Sequence, residues 1–228
     1  MAQNNLLQHL KFRKDKLALI EAEKILSQNS DDLTALWGKA EVFRRSYKFD
    51  EAKKILDFIL SKQPDHAPAL ICLSYIKYHF NKFEEASKLL NPLRDKPGLE
   101  RENRAIVYML LGSINAKKAH LGGVLSKVIY GTQIRRYFEK AKAIAPDLSE
   151  VHLGAGTFYL LAPKIIGGSI ERAIEELQCA IKLTPEFATP SARLAQAYKK
   201  KGDLANFKFY LQQAKKLDPE NEVVREIE

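Results

Sequence analysis

Apolar positions along the chain recur with a helical period, and the helices they predict recur in turn. Residues 33–66 and 67–100 carry the same pattern twice: Leu36 is matched by Leu70, Phe49 by Phe83, Ala52 by Ala86 and Leu56 by Leu90, each 34 residues on. Within a block, apolar or aromatic residues first recur four, three and four positions apart, a spacing that lays one stripe along a helix face. Leu70, Leu73 and Ser74 open one such helix, Tyr108, Leu111 and Gly112 another, and His152, Ala155, Gly156 and Tyr159 a third. A second helix follows in each block, marked by Ala173, Leu177 and Ala180 and by Phe207, Leu211 and Ala214. Small residues inside both stripes predict that the two helices approach closely.

Pro64, Pro146, Pro185 and Pro219 fall where blocks end, since proline cannot continue a preceding helix but is tolerated at a turn or a helix start. Five units follow, at residues 33–66, 67–100, 105–148, 149–187 and 188–221, preceded by a degenerate half-unit or cap at 1–32 and followed by a tail at 222–228. In the half-unit, residues 16–28 read as a second helix. Two units carry insertions between their helices: about ten residues around 119–131 and about five around 163–169. Both are glycine-paired and apolar. Each is expected either to bind a ligand or to pack against its own array, with Gly167-Gly168 turning the chain before Ser169 caps the next helix.

A 34-residue period with small residues in mid-helix and proline at the unit's end resembles the tetratricopeptide repeat family over about nine-tenths of the chain. Phe207, where that family prefers alanine, and the early Pro97 depart from its pattern. The resemblance implies an all-α fold, a right-handed superhelical solenoid of antiparallel helix pairs with about five repeats. It also implies that certain positions of each first helix face a ligand: Trp37, Glu41, Arg44 and Arg45, then Ile71, Tyr75, Tyr78 and His79, then Met109, Ser113 and Ala116, then Leu153, Thr157, Leu160 and Leu161, and finally Gln196, Lys199 and Lys200. Glu41, Tyr75 and Ser113 stand where relatives that clamp a terminal carboxylate need polar amide or lysine groups, so that mode is disfavoured. The Pro163-Lys164-Ile165-Ile166-Gly167-Gly168-Ser169 segment also resembles bacterial proteins of the family paired with periplasmic solute-transport systems.

Composition narrows the setting. Hydrophobic residues make up 46% and charged residues 29% of 228, which excludes a disordered or collagen-like chain. The longest uncharged stretch, residues 151–163, is well short of the roughly 20 apolar residues a spanning helix needs. Met1-Ala2-Gln3-Asn4-Asn5 is not a basic segment leading into an apolar one, so the cytoplasm is the expected compartment, or the periplasm if an export signal has been removed. Cys72 and Cys179 show no CxxC spacing and read as core residues.

No catalytic motif stands out. The five histidines do not form HxH, HxxxH or HExxH, so no metal is expected, and His152 falls in a core stripe. There is no GxxxxGK[ST] and no GxSxG. The expectation is a noncatalytic chain without a cofactor.

The net charge of +9 is uneven: residues 116–145 and 193–216 each hold seven Lys or Arg against one acidic residue. Much of this basicity falls at the ends of first helices, in Arg44-Arg45, Lys117-Lys118 and Lys199-Lys200-Lys201, where each cation also favours the helix dipole. Stacked repeats would align these groups as a basic rim around an aromatic and apolar groove. Such a surface suits a protein or peptide with acidic groups, as an adaptor or scaffold would hold it. The alternatives are a carrier of an apolar small ligand linked to transport, or a basic binder of nucleic acid or acidic membrane; the lack of an RNA-type aromatic motif weighs against nucleic acid. The insertions, the first helix or self-association would otherwise cover the groove.

Overall fold

The structure, a computed structural model, describes residues 2–122 and 124–227, without the side chains of residues 124–129, 131 and 132. Gly123 and those side chains, all but Thr132 within the first predicted insertion, lie outside the described residues. The described residues are all-α, as the repeat pattern requires, and divide into two compact units, Met1–Leu99 and Glu100–Glu228.

The first unit holds three helix pairs: α1 (Ala2–Lys11) with α2 (Asp15–Gln28), α3 (Leu33–Arg45) with α4 (Phe49–Lys62), and α5 (Ala67–His79) with α6 (Phe83–Arg94). Each second helix packs on its own first helix; α2 and α4 also pack on the first helix that follows, and α1, α3 and α5 pack in succession. Ala18, Ala52 and Ala86, 34 residues apart, are each wholly buried where second helices approach their neighbours. The turns repeat as faithfully. Arg13, Tyr47 and Asn81 take left-handed φ values of 58°, 60° and 58°, a conformation that costs a side-chain-bearing residue roughly 1–2 kcal/mol. The next amides offset that cost: Lys14, Lys48 and Lys82 donate to the carbonyls of His9, Phe43 and Lys77 at 2.9, 2.9 and 2.8 Å. Asp32 and His66, also 34 apart, accept from the amides of Ala35 and Ala69 and cap α3 and α5.

This period runs through α1, so the stretch read as a half-unit is a complete helix pair. Leu6 hides it, because a leucine stands 34 positions before the small Ala40 and Ser74. Gly38 makes room for it: a Cβ there would lie 3.0 Å from Leu6 Cδ1, and Leu6 is fully buried.

The second unit begins with α7 (Arg101–Leu121) and α8 (Val124–Ile144), each of 21 residues against 10 to 14 for the helices of the first unit. The ten additional residues thus extend both helices instead of forming a loop, because 116–121 continue the helical pattern and bury Ala119 before Gly122 ends α7. Then come α9 (Ser149–Leu161), a short three-ten turn Lys164–Ile166, α10 (Ile170–Leu183), α11 (Ala188–Lys201), α12 (Leu204–Leu217) and α13 (Glu222–Ile227). Gly156 lets α9 meet α10: a Cβ on it would fall 2.8 Å from Leu177 Cγ. Helix α13 buries Val223 and Val224 against Ala192 and Ala214, so the 222–228 stretch, expected as a tail, closes the end of its unit.

The second insertion is a tied loop. The Ser169 amide donates to the Tyr159 carbonyl at 2.9 Å, the Gly168 amide to the Pro163 carbonyl at 3.0 Å, Gly167 takes φ 102°, and Ser169 Oγ accepts from the Arg172 amide. A Cβ on Gly168 would sit 1.8 Å from the Ala162 carbonyl oxygen, a backbone atom no rotamer change can move. Gly168→Ala is therefore expected to lower stability by about 1–3 kcal/mol, read from the denaturant midpoint; an unchanged midpoint would mean that the loop has no such constraint.

Candidate functional site

In the first unit, packing of α1 on α3 and of α3 on α5 sets their expected ligand-facing positions side by side. Glu41 in α3 is buried, and its carboxylate is fully used. It accepts from Arg44 Nε at 2.9 Å and from Arg45 Nε at 2.8 Å, while Arg45 Nη1 reaches Asp15 Oδ1 at 2.7 Å and the Leu10 carbonyl at 3.0 Å. Burial opposes the charge on Glu41, but Arg44 and Arg45 outweigh it and hold the carboxyl far below the usual range. Arg44 in turn lies over the Tyr75 ring at 4.3 Å, a cation–π distance. The Cys72 thiol, buried nearby, is pushed well up by burial and by Glu41.

Glu41, Arg44 and Arg45, predicted as groove charges, thus satisfy one another. Trp37 is half-buried against the cores on either side of α3, and Ile71 is buried. What this face leaves half-exposed is aromatic: Tyr75, Tyr78 and His79, with His79 4.4 Å from the Phe49 ring and Tyr78 5.8 Å from Phe83. Leu7 and Lys11 extend the same positions onto α1 and were missed by sequence reasoning. The 34-residue recurrence of Lys14, Lys48 and Lys82 was the signal that would have found them.

In the second unit, the predicted groove residues Met109 and Leu160 are buried, while Leu153 is half-buried and packs with Leu177, Leu194 and Tyr198. Met109 fills the space beside Gly154, where a Cβ would lie 2.6 Å from its Cγ. Ser113 Oγ turns back to the Met109 carbonyl, and Thr157 is half-buried. Two of the predicted rim lysines cap helix ends: Lys200 Nζ donates to the Leu160 carbonyl of α9 at 3.0 Å and Lys199 Nζ to the Ile227 carbonyl of α13 at 2.9 Å. Lys118 sits over the Tyr130 ring at 5.5 Å, and Lys117 and Lys201 are exposed.

His152 is the buried core histidine the pattern predicts. Its Nδ1 lies 2.7 Å from Glu176 Oε2, its Nε2 2.8 Å from the Pro146 carbonyl, and Cys179 Sγ is 3.6 Å from Nε2. Both close oxygens act as acceptors, with Lys142 paired to Glu176, so the site favours the imidazolium form, in which both ring nitrogens donate. Burial opposes that charge, but the bonds to Glu176 and Pro146 prevail and raise the His152 pKa. Burial likewise opposes the Glu176 charge, and His152 and Lys142 overcome it to lower that pKa. Among the described residues, no group of three or more His, Cys, Asp or Glu is placed to hold a metal, and no helix is long and apolar enough to cross a membrane.

The class defined by these helix pairs is an all-α helical-repeat protein. Residues 191–221 match the model of the tetratricopeptide repeat. That repeat falls on α11 and α12. No curated protein sequence matches it. Among solved structures it is similar to pilF of Pseudomonas aeruginosa, at 17% identity and a TM-score of 0.52 over 99% of this chain and 94% of that one. A tetratricopeptide repeat protein from Parabacteroides merdae gives 16% and 0.58, over 99% and 80%. Human IFIT1, solved as a dimer with m7Gppp-AAAA, gives 16% and 0.66 over 93% of this chain but 48% of its own. Likenesses this distant show the fold alone.

Two outcomes follow from the buried charges. Glu41→Ala leaves Arg44 without its anion and Arg45 with Asp15 alone, and is expected to cost about 3–5 kcal/mol in chemical denaturation; a loss under about 1 kcal/mol would mean that solvent screens the cluster. The raised His152 pKa makes its contribution complete below 6.5 and lost as pH rises through the raised value, and the lowered Glu176 pKa makes its own complete above 4.5 and lost as pH falls through the lowered value. Stability from this cluster is therefore greatest between pH 4.5 and 6.5. His152→Gln should abolish the decline on the alkaline side of that window, measured by thermal melts across pH, and an identical decline in the variant would assign it to other groups.

Proposed function

We propose that the chain is a noncatalytic adaptor that takes a peptide or partner helix on the face formed by α1, α3 and α5. The observation that carries this reading is an aromatic face backed by buried charge: Arg44, bonded to Glu41, lies 4.3 Å from the Tyr75 ring centre, beside half-exposed Tyr78 and His79. Aromatic side chains give large contact area for little conformational entropy, and those already immobilised lose less on binding. An amphipathic helix or extended segment laid along such a face is held by a few buried anchors while the surrounding contacts exclude water. The arginines support the aromatic surface from below, so affinity is expected to come mainly from apolar contact.

The test is paired affinity capture from the source cells with the wild-type chain and with Tyr75→Ala/Tyr78→Ala. Partners retained by the wild type should fall at least tenfold on the variant while helical circular dichroism stays intact. Equal recovery on both would move the binding face elsewhere.

A further inference from the structure

We infer that the second unit carries a separate docking edge, where the loop between α9 and α10 meets the end of α11, and that it takes an acidic peptide anchored by an apolar side chain. Ile165, in the three-ten turn, is 93% exposed, and Leu161, the last residue of α9, is 46% exposed. An isoleucine so exposed adds almost nothing to the core, and a polar residue would serve the turn as well. Yet the loop that presents it is tightly determined. Backbone bonds tie Gly168 to Pro163 and Ser169 to Tyr159, and the Ala162 carbonyl leaves no room for a side chain at Gly168. A partner that meets Ile165 therefore meets a preformed knob and pays little to order it.

The charge around the knob indicates its occupant. Lys200 is held beside Leu161 by its bond to the Leu160 carbonyl, and its side chain still reaches solvent. Helix α11, which ends at exposed Lys201, packs on both α9 and α10, and exposed Lys164 lies in the loop that joins those two, so α10, the loop and the end of α11 share one edge; both lysines also help lower the Glu171 pKa, after its own backbone and Ser169 hydrogen bonds. Three lysines thus stand around two aliphatic side chains, against two carboxylates that are already bonded within the fold, Glu171 to Ser169 and Asp203 to Asn206. This pattern complements an aliphatic or aromatic anchor flanked by Asp or Glu. The exposed apolar groups are aliphatic and give a nucleobase no ring to stack on, so a peptide fits better than a single-stranded nucleic acid. The edge is distinct from the aromatic face of the first unit.

The test uses the full chain in selections from a phage-displayed library of random dodecapeptides, compared with Leu161→Ser/Ile165→Ser and with Lys164→Glu/Lys201→Glu. All substituted side chains are solvent-exposed, and melting curves check that the fold is kept. The wild type should enrich peptides with one or two apolar residues among several Asp or Glu. A synthetic copy of an enriched peptide should bind each variant at least tenfold more weakly, and should weaken as salt is raised. Tyr75→Ala/Tyr78→Ala should bind it as the wild type does; loss there would place the peptide on the first unit's face and overturn this inference alone. No enrichment, acid-poor peptides or equal binding by both edge variants would also overturn it. So would a concentration-dependent dimer, or binding to phosphatidylserine vesicles, that Leu161→Ser/Ile165→Ser removes, because the occupant would then be a second copy or a lipid surface.

Discussion

Everything in the first unit depends on the close approach of a second helix to its neighbours, and that approach is permitted only where a side chain is nearly absent. Ala18, Ala52 and Ala86 are wholly buried at this point, once per period. A larger residue there would push the helices apart, and the next pair would lose its seat because it packs on the same second helix. The left-handed residues Arg13, Tyr47 and Asn81 set the same turn each time, so an identical approach is delivered to each pair. Repetition of one local geometry builds the array, as nearest-neighbour stacking does in helical repeats generally.

The same constraint explains where the chain departs from regularity. Leu6 is too large for its position in the repeat, and Gly38 on the adjacent first helix yields the space. In the second unit Gly154 and Gly156 do the same for Met109 and Leu177. Volume is conserved across each contact even where the repeating residue changes, as densely packed interiors require. The second unit also replaces some apolar contact with buried charge: Lys142, His152 and Glu176 bring α8, α9 and α10 together through hydrogen bonds that need all three groups ionised. In the first unit Glu41 plays a comparable part between two arginines. Such clusters add little net stability over an apolar core but penalise any arrangement that separates their members.

Most of the fold was legible because its information is periodic. Apolar spacing identified α3 to α6 and α9 to α12, and the proline positions separated the pairs. The helix pair at the start was obscured by Leu6, whose size breaks the alanine signature although the turn at Arg13 and Lys14 keeps it. The ten residues added to the third predicted unit were visible as extra length. Whether they loop out or lengthen two helices turns on the pairing of α7 with α8, which spacing along one chain does not express. The candidate site was less legible. Positions inherited from the repeat correctly fell on first helices, but Glu41, Ile71, Met109 and Leu160 proved buried, and Arg44 and Arg45 were consumed by Glu41.

What the amino-acid order settled for this protein is the helical period, the small residues at its crossings and the tied turn at Gly167-Gly168, because each depends on residues close in sequence or on a pattern repeated every 34 positions. Which charges remain available to a partner was decided in three dimensions. The network around buried Glu41 draws on α1, α2, α3 and α5 at once, the capping of α9 by Lys200 joins residues 40 apart, and the exposure of Ile165 follows from a loop folded back on Tyr159. Desolvation and ion pairing act through space, so the same lysine or arginine is a structural clamp in one place and an open contact in another.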